Sequence, residues 1–211
     1  MTIVAAVVVT RNSAVHLKET LDSIRGQSRS PDFLIAIDDR SIDNTVDQLH
    51  AAAFDVHIST SSATDVSTRI AQNFVHGVRV AQQQGADVVI LGDHDDVWHP
   101  GRIEHQSGIL DVDPSIAMVA SDGFLIDENG VALPGTIRST FPVPEDFTQW
   151  TMRQQMRYAL RHSIATGGAS ALRPARLAQW VVPPGWLHDR WWSLASLRKQ
   201  AFIADATPVI D

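Results

Sequence analysis

The chain begins with an uninterrupted apolar run at residues 3–9, rich in β-branched side chains, which predicts a strand buried on both faces of a sheet. Asn12 or Ser13 can cap the helix that follows. Its apolar positions Ala14, Leu17, Leu21 and Ile24 fall on one side, and Gly26 ends it. Residues 33–37 predict a second strand, after which Asp38-Asp39-Arg40-Ser41 turns the chain into a helix carrying Val46 and Leu49. Ser41 or Asp43 is expected to cap that helix. A third strand is predicted at 54–58. Ile70, Phe74, Val78 and Ala81 then mark a longer helix ending near Gly85, and a fourth strand lies at 88–91. This alternation implies a parallel sheet with right-handed crossovers, an α/β fold.

Beyond Pro100 the pattern becomes irregular. Short strands are predicted at 117–120 and 124–126, with the turn Asp127-Glu128-Asn129-Gly130 after them. Residues 134–144 read as loop, 147–161 as helix and 169–172 as strand. Pro174 suits the first turn of another helix. A helix at 187–200 and a strand at 202–204 complete the chain. No repeat or flexible linker divides it, so residues 1–211 are expected to form one domain, with a front half over about 1–100 and a back half over about 101–211.

Composition narrows the function classes. With 211 residues and no Cys, the chain can bury a core without staples, and it has neither a disulfide framework nor a thiolate metal site. No apolar run approaches the ~18–20 residues of a membrane span. The first apolar stretch lacks a basic leader, so a cytoplasmic location is expected. A net charge of −7 argues against nucleic acid as a partner. That charge is unevenly spread: residues 1–150 hold 9 basic and 21 acidic side chains, whereas 151–200 hold 8 basic residues and one acid, Asp189. The back half can therefore attract anions.

Three segments can carry chemistry. Gly92-Asp93-His94-Asp95-Asp96-Val97-Trp98 follows an apolar strand directly, at the end where open α/β sheets bind ligands. Three carboxylates so close repel one another unless a cation compensates, and an all-oxygen set suits magnesium or manganese. The competing reading is an acidic surface turn. Asp38 and Asp39 occupy the equivalent end of the second strand and can accept hydrogen bonds from a nucleobase or ribose. Asp189, flanked by Trp186, Trp191 and Trp192, either pairs with an arginine or serves as a general base. No glycine-rich phosphate loop of the dinucleotide or Walker type is present.

In this order and spacing the three segments, together with Val7-Val8-Val9-Thr10-Arg11-Asn12 and Thr166-Gly167-Gly168, resemble the family 2 glycosyltransferases, nucleotide-sugar-dependent enzymes of GT-A fold. The His188-Asp189-Arg190-Trp191 form and the Asp96-Val97-Trp98 tail look most like the rhamnosyltransferase-type members. The resemblance implies a mostly parallel sheet and transfer of a sugar from a nucleoside-diphosphate sugar to a saccharide or lipid-linked acceptor, with Mg or Mn as cofactor. It implies donor-binding roles for Thr10, Arg11, Asp38, Asp39, Arg69 and Asp93, and metal binding by Asp95 and Asp93. Asp189 matches the catalytic base, and Gly167, Gly168, His188 and Trp191 lie on the acceptor side. Similar members continue past the last strand with a Tyr-Arg-x-His element, so a C-terminal truncation at Asp211 is expected. Arg153, Arg157 and Arg161, beside Met152, Met156 and Leu160, suggest peripheral contact with the inner face of a membrane. A non-catalytic binding fragment and a nucleotidyltransferase stay open as alternatives.

Overall fold

The computed structural model describes residues 1–177 and 181–211. β1 (Val4–Thr10) is buried along its whole length, and its side chains alternate between two cores: Val4, Ala6 and Val8 enter one, Ala5, Val7 and Val9 the other. Next come α1 (Leu17–Arg25), β2 (Phe33–Asp38), α2 (Thr45–Ala51), β3 (Asp55–Ile58), α3 (Val66–Gln83) and β4 (Val88–Asp93). The back half contains α4 (Arg102–Val112), β5 (Met118–Asp122), β6 (Phe124–Ile126), β7 (Ala132–Thr136), the single-turn α5 (Ile137–Thr140), α6 (Met152–Ala159), β8 (Ser170–Leu172), α7 (His188–Arg198) and β9 (Phe202–Pro208).

The main sheet runs β3-β2-β1-β4-β8-β5-β9. The strands are parallel except β8, which runs against both neighbours. Leu17, Leu21 and Ile24 of α1, Leu49 of α2, and Ile103 and Leu110 of α4 cover one face. Phe74, Val78 and Ala81 of α3 and Trp192 of α7 cover the other. A third cluster of Phe147, Ala159, Ile164, Leu194 and Leu197 seals α6 against α7. From β1 the chain moves one way to β2 and β3, then returns to the opposite side of β1 for β4. The carboxyl ends of β1 and β4 are therefore a topological switch point, where such sheets leave a crevice.

Several local expectations change. Neither Asn12 nor Ser13 caps α1. Asn12 takes a left-handed backbone (φ 49°) and its Oδ1 accepts the Ile42 N–H, bridging two loops, and the helix starts later, at Leu17. α2 is capped by Asn44 without a side-chain bond, while Asp43 Oδ1 accepts the N–H of Thr45. Residues 134–144 are not all loop, because β7 pairs with β6 across a turn in which Asp127 Oδ1 accepts from Asn129 and Val131 N–H. The helix expected over 147–161 is broken. A 3-10 turn at Phe147–Gln149 ends at extended Trp150, and Thr151 with Gln154 forms a capping box that restarts the chain as α6. Where a helix is expected from Pro174, the chain makes a three-residue 3-10 turn, Pro174–Arg176, and residues 178–180 beyond it lie outside the described residues. The hydrophobic pattern predicts no helix where α4 lies. Its buried side includes Arg102, Gln106 and Ser107, so it lacks an apolar stripe.

Candidate active site

Asp93 ends β4, and the chain turns at once, leaving Asp95 exposed and Asp93 and Asp96 partly buried. Asp96 Oδ2 accepts the Asp93 N–H at 3.2 Å, which curls the acidic loop back on its own strand. Burial and the neighbouring charges of Asp96, Asp95 and Asp189 push the Asp93 carboxyl well above the usual carboxylate range. Burial lifts Asp96 to about 6, opposed by Arg102. Arg102, in the first turn of α4, is 1% exposed and fully enclosed behind this loop. Its Nη2 donates to the Leu91 carbonyl at 2.6 Å, its Nε to Gln106 Oε1 at 3.1 Å, and its guanidinium carbon lies 3.9 Å from the Trp98 ring centroid. Nothing in the residue pattern marks Arg102 as a buried group, because an arginine just after Pro100-Gly101 reads as the exposed start of a helix. A cavity of about 580 Å³ opens beside Asp95 and Asp96, walled on its far side by the β6–β7 turn.

The ends of β1 and β2 carry the second cluster, with Thr10 opposite Asp38 in register. Asp38 is fully buried. Its Oδ1 accepts from the Thr10 and Ser41 hydroxyls, and its Oδ2 accepts the Ser41 N–H. This carboxylate and Thr10 therefore hold the loop in shape, with their bonding directed into the protein. Asp39 differs. Its Oδ2 takes Arg69 Nε at 2.6 Å and Arg11 Nη1 at 2.9 Å, while Oδ1 is buried and has no hydrogen-bond partner among the described residues. A buried acceptor left open costs about 1–3 kcal/mol. An N–H on a ligand base would recover that cost.

Asp189 lies in the first turn of α7, where the helix N-terminus favours negative charge. Its Oδ2 accepts the Gly167 N–H at 3.1 Å and its Oδ1 the Arg190 N–H at 2.6 Å. Burial nevertheless raises its carboxyl to about 6. The salt-bridge reading of this acid is not what the structure contains, since Arg190 sends Nη2 to the Leu160 carbonyl at 2.9 Å. His188 is buried and stacked on Phe74, with centroids 3.9 Å apart. Burial pulls its imidazole down to about 3, so it is neutral, and neither ring nitrogen has a partner among the described residues. Trp191 is half-buried, edge-on to Trp186, and Trp192 is core.

Gly167 and Gly168 join these parts. A Cβ on Gly167 would sit 2.6 Å from His188 Nε2. A Cβ on Gly168 would collide with Asp96 Oδ2 and come within 3.0 Å of Asp93 Oδ2. Adjacent residues of one dipeptide thus bond the acid of α7 and lie against the acids at and just beyond the end of β4. Asp93 pairs across to Val9 of β1, whose next residue pairs with Asp38, so the β2 and β4 ends are separated by one strand, about 10 Å. The Gly185 N–H bonds the Thr68 hydroxyl next to Arg69, closing the ring of elements. The three acidic segments therefore lie at the same end of the sheet, the carboxyl ends of β1, β2 and β4.

The acidic loop fits a hard divalent cation: Asp93, Asp95 and Asp96 offer carboxylate oxygens within four residues, and burial together with the charges of its neighbours raises Asp93. Among the described residues no group of three or more His, Asp or Glu side chains is gathered for a metal ion. A bound ion would therefore draw part of its shell from water and substrate oxygens.

An open, mostly parallel sheet with acids at its switch point defines an α/β protein with a nucleotide-binding type of crevice. The sequence pattern described as Glycosyl transferase family 2 matches residues 5–203, and the chain belongs to that family. Its fold matches glucosyl-3-phosphoglycerate synthase from Mycobacterium tuberculosis, solved with Mn2+, uridine diphosphate and glucosyl-3-phosphoglycerate. The TM-score is 0.65 at 16% identity, over 100% of this chain and 71% of that one. It also matches TarS 1-349 from S. aureus in complex with UDP-GlcNAc, with TM-score 0.65 and 13% identity, over 99% of this chain and 58% of that one. These likenesses establish the GT-A fold. No curated protein matches the chain. No helix among the described residues is long and apolar enough to cross a membrane.

The Asp39 arrangement makes a direct prediction. Asp39→Ala removes both the open acceptor and the partner of two arginines, and a hydrogen bond to a charged group is worth about 1.5–3 kcal/mol. If Asp39 has the donor-binding role that the family resemblance implies, affinity for uridine diphosphate should fall roughly ten- to hundredfold by calorimetry. Unchanged affinity would remove that role from Asp39.

Proposed function

We propose that residues 1–211 act as one inverting glycosyltransferase domain, moving a hexose from a nucleoside-diphosphate sugar to a saccharide or lipid-linked acceptor. The front half would hold the donor and the back half the acceptor. The observation that carries this reading is the Gly167-Gly168 dipeptide, which brings Asp189 and the Asp93–Asp96 loop to one place. The open Oδ1 of Asp39 suits the imide N–H of uracil or thymine, with Arg11 and Arg69 beside it for base and phosphate. Asp189 takes the proton of an acceptor hydroxyl as that oxygen attacks the anomeric carbon. The bond from that carbon to the diphosphate breaks on the opposite face, and its electron pair leaves with the phosphate oxygen. A carboxylate raised to about 6 is poised for this work near neutral pH. Asp95 and Asp93 would hold magnesium or manganese, which when bound neutralises charge on the leaving diphosphate. Gly167 and Gly168 let the acceptor-side loop pack directly against His188 and the acidic loop, which sets the acceptor beside the donor.

A rhamnose-type donor and a role in cell-envelope polysaccharide assembly rest on the resemblance of the His188–Trp191 segment. Contact with the inner face of a membrane is supported by Arg153 beside the exposed Met152 and Leu160 of the α6 region.

Calorimetry with uridine, thymidine, guanosine and adenosine diphosphates, with and without manganese, tests the donor half. At least one diphosphate should bind more tightly with manganese, and Asp95→Ala should lose that difference. Metal-independent binding would overturn the metal assignment. Turnover of a nucleoside triphosphate with release of pyrophosphate would instead make the chain a nucleotidyltransferase.

A further inference from the structure

The surface around α6 combines a rigid aromatic wall with unneutralised cations. Tyr158 donates its hydroxyl to the Pro142 carbonyl at 2.7 Å, the His162 ring stacks on it at 4.3 Å, and Trp150 meets it edge-on at 5.6 Å. These rings, with Gln154, Arg157 and Arg161, line a notch of about 260 Å³. Arg157 and Arg161 are exposed, and among the described residues neither guanidinium makes a hydrogen bond or ion pair. Between 151 and 200 the only acid is Asp189, which is buried against Gly167, and among the described residues neither Glu145 nor Asp146, just ahead of Trp150, pairs with either arginine.

The notch is also coupled to the reaction centre. Arg190, next to Asp189, bonds the Leu160 carbonyl and so ties α7 to the end of α6. His162 and Gly167 are five residue steps apart, a span of at most about 18 Å. A group held in the notch can therefore belong to a molecule whose other end reaches Asp189. Fixed aromatic faces pack against the C–H face of a sugar ring, and free guanidinium forks match phosphate oxygens. The wall is already ordered, so binding has to order only the two arginine side chains.

We infer that this notch is a subsite for the phosphate-bearing end of a saccharide acceptor, remote from the hydroxyl that reacts. The inference rests on the glycosyltransferase reading and adds the acceptor's chemical class, a sugar carrying a phosphate ester, whether free or lipid-linked.

The test uses the full chain with manganese and uridine diphosphate present, and glucose 1-phosphate as the probe. Binding is followed by calorimetry, alongside glucose alone and vesicles of phosphatidylcholine with or without phosphatidylglycerol. Glucose 1-phosphate should bind and glucose should not. The double variant Arg157→Gln/Arg161→Gln should weaken binding at least tenfold, and Trp150→Ala should weaken it severalfold. Both variants should keep uridine diphosphate affinity, and the arginine double variant should keep the thermal midpoint, whereas Trp150→Ala lowers it through lost packing on Phe147 and Tyr158. If the diphosphate binds but glucose 1-phosphate does not, or its binding ignores the two arginines, the subsite is wrong while the donor reading stands. If vesicles with phosphatidylglycerol bind through these arginines and the sugar phosphate does not, the patch reads a bilayer and the inference is overturned. Absence of diphosphate binding in the unmodified chain would instead remove the reading beneath it.

Discussion

Asp189→Asn should cost about 10²–10⁴-fold in transfer rate, the usual contribution of a general base, with donor affinity nearly unchanged. Asparagine can still accept the Gly167 N–H that Asp189 accepts, so the loop is retained and only the proton acceptor is lost. The pH profile adds an independent check. Asp189 works only when ionised, and burial raises its carboxyl to about 6, so kcat should decline as pH falls through about 6. Above that value the rate should level. The residual activity of Asp189→Asn should show no such limb in kcat. A limb that survives the substitution, or transfer at the unmodified rate, would remove Asp189 as the base.

The second large effect is expected from the smallest change. Gly168→Ala adds one methyl group where Asp96 Oδ2 already stands and Asp93 Oδ2 is 3.0 Å away. Either the glycine loop or the acidic loop must move, and misplacement by about 1 Å at a reacting centre can cost about 10²-fold. Transfer should therefore fall by about that factor, and manganese-dependent diphosphate binding should weaken with it. The control is Gly108→Ala within α4, where nothing lies within 4 Å of the added carbon. An interior helical glycine is less favourable than alanine by about 0.8–1.0 kcal/mol, so that variant should melt at the same or higher temperature with full activity. Equal behaviour of the two variants would show that the Gly168 contact has no bearing on the site.

The front half was readable because its signals are local. The apolar run of β1, the fourfold spacing of α3 and the acids directly after β2 and β4 all follow from burying one stripe or both faces of an element. The back half was less legible where burial is polar. α4 hides Arg102, Gln106 and Ser107 among hydrogen-bonded partners, so its inward side carries no hydrophobic period. The break at Trp150 depends on a capping box that competes with a continuous helical pattern.

Residue types and their order along the chain determined the α/β class, the strand ends on which the acids sit, and the family likeness that links them. Tertiary structure decided what each acid is bonded to and how far it is buried. Asp38 and Asp39 are neighbours of the same chemistry, yet Thr10 and Ser41 occupy the first, and the second keeps an oxygen open. Likewise Asp189 has the Gly167 amide as its partner instead of an arginine side chain, and its carboxyl rises because it is buried. The cause is the same in both cases: a carboxylate's hydrogen bonds and solvent access come from residues distant in the chain, which only the folded sheet brings alongside.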